Sequence, residues 1–162
     1  MNNEEYDKIT EFERNGKPKE AFDLLKKLCD EGHPMAMLEL SMRYYSTEGY
    51  VHPVFKIEKD LKLSEELASK GKSKLEELSS LGDGEAMRML AYTYFQHLSP
   101  YLEKSFEKAE MWLLKAFESG CFFAANDLST FYVNSDLEKA KYWYAQADKH
   151  QCRVIYHKEC EH

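Results

Sequence analysis

Small and apolar residues recur along this chain at one fixed helical spacing. In three places an Ala is followed four, five and eight positions later by Leu, by Ser or Ala, and by Tyr. The three copies are Ala36-Leu40-Ser41-Tyr44, Ala86-Leu90-Ala91-Tyr94 and Ala124-Leu128-Ser129-Tyr132. Offsets of four and eight lie on one helix face at about 100° per residue, whereas a strand needs strict alternation. The self-similar spacing predicts an array of identical helical units.

A second pattern alternates with the first. A small residue is followed by a large side chain three positions later and an apolar one four positions later. The leading residues are Ala21, Gly71, Ala109 and Ala140. The residue eleven positions after each leading residue is glycine in three copies, Gly32, Gly82 and Gly120, and glutamine in the last, Gln151. Because glycine suits the left-handed position after a helix, each unit is predicted to be a helix, a glycine turn and a second helix.

Capping chemistry places the helix ends. Capping-box spacing is found at Asn2 with Glu5, Ser73 with Glu76 and Ser135 with Glu138. First-turn prolines are predicted at Pro18, Pro34 and Pro100. We predict eight main helices near 3–15, 18–31, 34–46, 60–81, 84–97, 103–119, 122–133 and 136–149. The fourth allows a bend at Gly71, and the stretch after Gln151 allows a short capping helix.

The copy from Lys108 to Tyr132 carries the fullest motif. Its residues are Lys108, Ala109, Trp112, Lys115, Ala116, Gly120, Ala124, Leu128, Ser129 and Tyr132. This pattern resembles the Sel-one-like repeats, a branch of the tetratricopeptide-like solenoids, over roughly residues 18–148. The resemblance implies an all-α fold, a right-handed superhelix of about eight antiparallel helices, and one domain over residues 1–162 with a cap at 150–162. It also implies binding to other proteins.

The first unit is longer than the others. Helix-leading residues are separated by 50 positions from Ala21 to Gly71, then by 38 and 31. The extra residues, 50–70, include an apolar stretch with Phe55 and Ile57 and a predicted extra helical turn or two. Insertions in solenoids often emerge on the binding face. The alternative is that Phe55 and Ile57 pack back onto neighbouring helices.

A concave binding surface follows from the resemblance, because in tetratricopeptide-like solenoids that side is lined by the A helices, which are here the helices that carry the Ala-Leu-Tyr pattern. Positions two, six and nine after the repeated Ala lie about 140° from the apolar stripe. With Phe55 of the insertion, they give the predicted partner-binding set Leu38, Met42, Tyr45, Phe55, Arg88, Tyr92, Phe95 and Asn126. The alternative is that these side chains meet the N-terminal helix or the insertion.

Composition narrows the class of partner. The formal charge of −7 disfavours nucleic acid, whose binding depends on Lys and Arg, and favours a neutral or basic partner. The sequence contains no apolar run long enough for a membrane span. The N-terminus lacks a signal-peptide pattern, so we expect a cytoplasmic protein.

Candidate chemistry is sparse. Cys152 and Cys160 have the eight-residue separation of the cysteine-rich secreted subgroup but lie four residues out of phase with the repeat, and the partner position of Cys29 holds Met37. The resemblance to that subgroup therefore fails, and we expect reduced thiols in the cytoplasm. His and Cys cluster between His150 and His162, but their spacing fits no standard zinc site; a frayed terminus is the alternative. No nucleophile elbow, zincin helix or phosphate loop is found. We therefore expect no enzyme activity, no catalytic residues, no metal and no cofactor.

The sequence leads to a protein–protein interaction module as the main hypothesis. Its sharper form is a small bacterial immunity protein that neutralises a secreted or contact-delivered toxin. A general adaptor or regulatory scaffold is the alternative, and hydrolysis of small ligands such as β-lactams is a remote one. The sequence does not choose among targets, because one fold hosts many functions.

Overall fold

All eight predicted helices form in the computed structural model, which describes residues 4–46, 56–95 and 99–160. The helices are α1 (Glu4–Arg14), α2 (Pro18–Asp30), α3 (Pro34–Tyr45), α4 (Leu61–Ser80), α5 (Gly84–Phe95), α6 (Phe106–Glu118), α7 (Ala124–Tyr132) and α8 (Leu137–Lys149). A short 3-10 helix, Lys158–Cys160, follows α8. The described residues contain no strand, so the fold is all-α as predicted.

The glycine turns are confirmed. Gly32, Gly82 and Gly120 have φ of 87°, 87° and 88°, the left-handed region that ends a helix without side-chain strain. Gln151 takes the same position after α8 with φ of 54°. The turn geometry is therefore common to all four copies, although only three have glycine.

Three of the predicted helix starts need correction. Ser73 lies inside α4, where Asp60 instead accepts a hydrogen bond from the Leu63 N–H at 2.9 Å near the helix start. Asp136, not Ser135, caps α8. Pro100 stands in a turn, and Ser105 caps α6. A side-chain acceptor immediately before each helix satisfies a free N–H directly and takes precedence over the capping-box spacing. Asn2 lies outside the described residues.

The chain divides into two compact units, which are described separately. Unit 1 comprises the described parts of Met1–Glu77 and Gln96–Glu103, and unit 2 those of Leu78–Phe95 and Lys104–His162. In unit 1, α1 packs on α2 and α2 on α3. Its core consists of Ile9, Ala21, Leu25, Leu28, Cys29, Ala36, Leu40 and Leu67.

Two close contacts join α3 to α4 within unit 1. The buried hydroxyls of Ser41 and Ser64 each donate to the other residue's carbonyl at 2.7 Å. Gly71 lies so near α3 that a Cβ there would stand 2.9 Å from the Pro34 carbonyl oxygen. Small residues at these points allow the two helix axes to approach closely.

Part of the insertion lies within the described residues. Residues 50–55, including Phe55, lie outside the described residues. Ile57 is buried, which agrees with packing against the protein rather than display on a surface. The extra helical turns predicted after residue 60 are present as the first part of α4.

Unit 2 is a row of packed helices, with α5 on α6, α6 on α7, α7 on α8, and the 3-10 helix on α8. The repeated Ala and Leu residues point inward as the spacing predicts. The core consists of Met87, Ala91, Leu113, Ala116, Ala124, Leu128, Tyr132, Ala140, Tyr144 and Cys160. No helix among the described residues is long and apolar enough to cross a bilayer.

Candidate protein-interaction surface

Five aromatic rings and one guanidinium form a continuous surface on unit 2, which we call the aromatic strip. Its members, in spatial order, are Phe123, Arg88, Tyr92, Phe95, Phe131 and Phe106. The Arg88 guanidinium lies 5.9 Å from the Phe123 ring and 5.4 Å from the Tyr92 ring. The following ring pairs have centroids 5.3, 6.1 and 5.8 Å apart. Each distance is in the range of favourable ring or cation–π contact.

Helical spacing sets most of the strip. Arg88, Tyr92 and Phe95 are positions i, i+4 and i+7 of α5 and therefore share one face. Phe131 lies in the last turn of α7, and Phe123 directly precedes that helix. Phe106 is the first residue of α6. Three neighbouring helices thus contribute to one surface.

Arg88 is held by acceptors on two helices. Its Nε and Nη2 donate to the carboxylate of Asp127 on α7, its Nη1 donates to Glu85 at 3.2 Å, and Nη2 also donates to the Tyr92 hydroxyl at 2.8 Å. The Tyr92 hydroxyl donates in turn to Asp127 at 2.6 Å. Arg88 is therefore fixed in place by internal partners.

Burial and charge shift two pKa values in this network. Burial opposes the charge of Arg88, but the hydrogen bond and negative charge of Asp127 outweigh it and raise the Arg88 pKa. Burial, then the charge of Asp127, raises the Tyr92 pKa. At neutral pH the cation and the neutral phenol are both stabilised, so the polar centre of the strip keeps one protonation state.

Cys121 lies at the edge of this network. Its thiol donates to Glu85 at 3.2 Å, and burial together with that hydrogen bond raises the pKa of Cys121 to about 12. Because the thiolate is the nucleophilic form, this cysteine is inert at neutral pH.

The two ends of the strip are the parts most open to solvent. Phe106 is 69% exposed and Phe123 is 45% exposed, whereas Arg88, Tyr92, Phe95 and Phe131 are half-buried. Phe, Tyr and Arg are residue types enriched at protein–protein interfaces. Arg88, Tyr92 and Phe95 of the predicted set thus belong to one surface.

Asn126 occupies a different environment. It is 3% exposed, and its side-chain amide donates to the Cys152 carbonyl at 2.8 Å and accepts from the Val154 N–H at 3.0 Å. One turn later, the Thr130 hydroxyl shares a hydrogen bond with His157 Nε2 at 3.0 Å. The chain's own C-terminal segment covers Asn126, which is therefore not an open surface residue, whereas Thr130 remains exposed.

The remaining predicted residues belong to unit 1. Leu38 is 1% exposed and lies against Gly71, so packing with α4 removes it from the surface. Met42 is half-buried. Tyr45 is 36% exposed and meets the Tyr101 ring edge-on at 6.0 Å. Of these residues, Tyr45 presents the largest apolar surface to solvent.

Sequence reasoning missed Phe106, Phe123, Phe131 and Asp127. Phe106 and Phe123 lie at helix starts, outside the nine-residue frame that was used to select the surface positions. The sequence did contain a signal for these two residues. A Phe at the start of a helix, among polar residues, has no core position to fill and is therefore a candidate surface residue. The pairing of Asp127 with Arg88 could not be predicted from local sequence, because the two residues are 39 positions apart in the chain.

No group of three or more His, Cys, Asp or Glu in the described ranges is arranged to hold a metal ion. His157 and Cys160 lie in different surroundings: His157 contacts Thr130, and Cys160 is buried in the core of unit 2. His162 lies outside the described residues.

Comparison with known proteins decides the family. The Sel1 repeat family model matches residues 13–33, 84–121 and 126–147, together half of the chain. The chain belongs to the Sel1 repeat family. The Sel1 matches in unit 2 include α5, α6 and α7 from residue 126 onward, and therefore every member of the aromatic strip except Phe123. Sel1 repeats typically mediate binding to other proteins.

A crystal structure of a Sel1 repeat protein from Oxalobacter formigenes is similar to this chain at 21% sequence identity. The alignment covers 88% of this chain and 71% of that one, with a TM-score of 0.42. A comparison with curated proteins found no match.

Proposed function

We propose that this Sel1 repeat protein is a non-catalytic module that binds another protein through the aromatic strip of unit 2. The observation that carries the proposal is a row of aromatic rings with an exposed Phe at each end and, beside Phe123, an arginine held by internal partners. Fully burying an exposed Phe contributes about 1.5–3 kcal/mol, and covering these partly exposed rings contributes a share of that. Because Arg88 and Tyr92 are already ordered by Asp127, little conformational freedom is lost when a partner covers them.

The partner we propose is neutral or basic. Arg88 is neutralised within the protein by Asp127 and Glu85, so it presents no free positive charge to attract an acidic partner. The whole chain carries a formal charge of −7. A negative field of this kind increases the association rate with a basic protein and disfavours nucleic acid.

The specific role we propose is that of a cytoplasmic bacterial immunity protein whose partner is a toxin. The supporting observations are the acidic charge and a preformed surface that needs no chemistry to act. A general adaptor is the alternative, since the same surface serves any partner of matching shape. Coexpression with a toxin encoded by a neighbouring gene separates the two: an immunity protein restores growth, whereas an adaptor does not.

The test of partner binding is affinity capture in the native host with matched variants. Phe106→Ser with Phe123→Ser removes the two exposed ends of the strip. Leu81→Ser with Tyr142→Ser removes two exposed apolar side chains of unit 2 outside the strip, 75% and 56% exposed. We expect the first pair to lose the captured partner and the second to retain it, with both pairs melting close to the native temperature. Retention by the first pair would contradict the proposal.

A further inference from the structure

The C-terminal segment Cys152–His157, which we call the tail, lies in a groove formed by Asn126 and Thr130 of α7 and by Tyr144 and Asp148 of α8. We call this the α7–α8 groove. The tail has no helix or turn. The Asn126 amide bonds the carbonyl before Arg153 and the N–H after it, at 2.8 and 3.0 Å. Those two groups point the same way in an extended chain, so Asn126 recognises extended backbone at that position.

The Arg153 side chain contacts Tyr144 and Asp148 of the groove and is 37% exposed. Its guanidinium lies 4.9 Å from the centre of the Tyr144 ring, and Nη1 donates to the Tyr144 hydroxyl at 3.0 Å. Nε pairs with the Asp148 carboxylate at 3.1 Å. Tyr144 is 5% exposed, so the ring and hydroxyl are fixed in place. An aromatic face, a hydroxyl and a carboxylate together fit a guanidinium better than an ammonium.

The other tail residues make fewer contacts with the groove. Val154 and Tyr156 are 71% and 64% exposed, so most of each side chain is open to solvent. His157 bonds Thr130 at 3.0 Å, and the buried Cys160 anchors the following 3-10 helix in the core. The backbone contacts of Asn126 and the side-chain contacts of Arg153 are the features of the tail that a segment of another protein could reproduce.

We propose that the α7–α8 groove is a binding site for an extended, arginine-bearing segment of a partner protein, and that the tail occupies it within the chain. This inference rests on the proposed function, because it specifies the chemistry of the partner. Charge complementarity supports it: Asp148 supplies a carboxylate, and the acidic chain favours a basic segment. The segment enters by replacing the tail, whose contacts it reproduces.

The experiment uses the full chain and a fluorescent peptide that has the sequence of residues 150–160, with Cys152→Ser and Cys160→Ser. Arg153→Glu in the full chain weakens the tail and leaves the groove residues unchanged. Fluorescence anisotropy is expected to show peptide binding at least about tenfold tighter to the Arg153→Glu chain than to the native chain, whose own tail competes at high effective concentration. Should Arg153→Glu not fold, His157→Ala loosens the tail at Thr130 and is judged by the same criteria.

Two altered peptides test the recognition without disturbing the protein. One has Arg153→Glu, and the other is N-methylated at Val154, which removes the N–H that Asn126 accepts. Both are expected to bind at least about tenfold more weakly than the parent peptide. No peptide binding by the tail-weakened chain up to millimolar concentration, or equal binding of all three peptides, would overturn the proposal. The assay involves neither Phe106 nor Phe123, so its failure is distinct from a failure of the aromatic strip to capture a partner.

Discussion

Arg88 on α5 and Asp127 on α7 join two repeats of unit 2 through the Nε–carboxylate hydrogen bond and a second contact of 3.4 Å from Nη2. Both side chains are largely shielded from water, at 19% and 6% exposure. The pair also holds the Tyr92 hydroxyl. It therefore fixes the centre of the aromatic strip while contributing no free charge to its surface.

Removing the carboxylate from this pair should destabilise the protein. Asp127→Asn leaves Arg88 half-buried without its main counter-charge, and we expect a loss of about 2–4 kcal/mol in unfolding free energy. The double variant Arg88→Met with Asp127→Leu should recover part of that loss, because no charge is left buried. Urea unfolding measures both, and Lys74→Met, which breaks an exposed pair with Glu77, serves as the control with a change below about 1 kcal/mol. A loss from Asp127→Asn no larger than the control's would contradict the account.

The close approach of α4 to α3 predicts that Gly71 cannot be replaced by Ala at no cost. The new Cβ would stand 2.9 Å from the Pro34 carbonyl oxygen, a backbone atom that cannot rotate away. We expect a loss of about 1–3 kcal/mol from the forced shift, despite the gain of about 1 kcal/mol in helix propensity. The matched control is Ser73→Ala, exposed on the same helix, which should be nearly neutral in thermal unfolding. A Gly71→Ala variant as stable as the control would show that the helices can separate freely.

Most of the fold could be predicted from sequence because the repeat constrains it locally. Ala36, Ala86 and Ala124 are all 0% exposed, as the helical spacing requires. The glycine turns also follow from single-residue conformational preference. Helix starts were less predictable, because Ser105 and Asp136 compete with neighbouring polar residues for the same N–H groups and local spacing does not decide between them.

The site was predicted only in part. The α5 face was identified because periodicity places Arg88, Tyr92 and Phe95 together. Leu38 and Asn126 were wrongly placed on an open surface, since their neighbours are set by tertiary packing: Gly71 allows α4 to approach Leu38, and the tail covers Asn126. A wheel calculation describes one helix and contains no information about what packs against it.

Alkaline pH should destabilise the protein through Cys121. Its pKa rises from an ordinary 9.0 to about 12 in the folded state, mainly through burial. A raised folded pKa gives stability that is fully present below pH 9 and is lost as pH rises toward 12. Cys121→Ser does not titrate in this range, so the melting-temperature difference between native and variant should shrink between pH 8 and pH 11. A constant difference across that range would contradict the burial of the thiol.

Asn126 should control the exchange of tail amides with solvent. Asn126→Ala removes the acceptor of the Val154 N–H and leaves the Cys152 carbonyl unpaired, which we expect to cost about 1–3 kcal/mol. Hydrogen exchange at Val154 should accelerate by at least about tenfold. Asn134→Ala, an exposed asparagine just beyond α7, is the control and should change neither quantity. Unchanged hydrogen exchange at Val154 in Asn126→Ala would show that the Asn126 side chain does not hold the tail.

The central claim is that a partner protein contacts the aromatic strip. Site-specific photo-crosslinking in the native host tests it directly, with a photoreactive phenylalanine analogue placed in turn at Phe106, Phe123, Leu81 and Tyr142. All four native side chains are exposed, at 69%, 45%, 75% and 56%, so the photoreactive group is open to a partner at each position. The account predicts a discrete crosslinked protein from Phe106 and Phe123 and none from Leu81 or Tyr142. Crosslinking from the two control positions with none from the strip would contradict it.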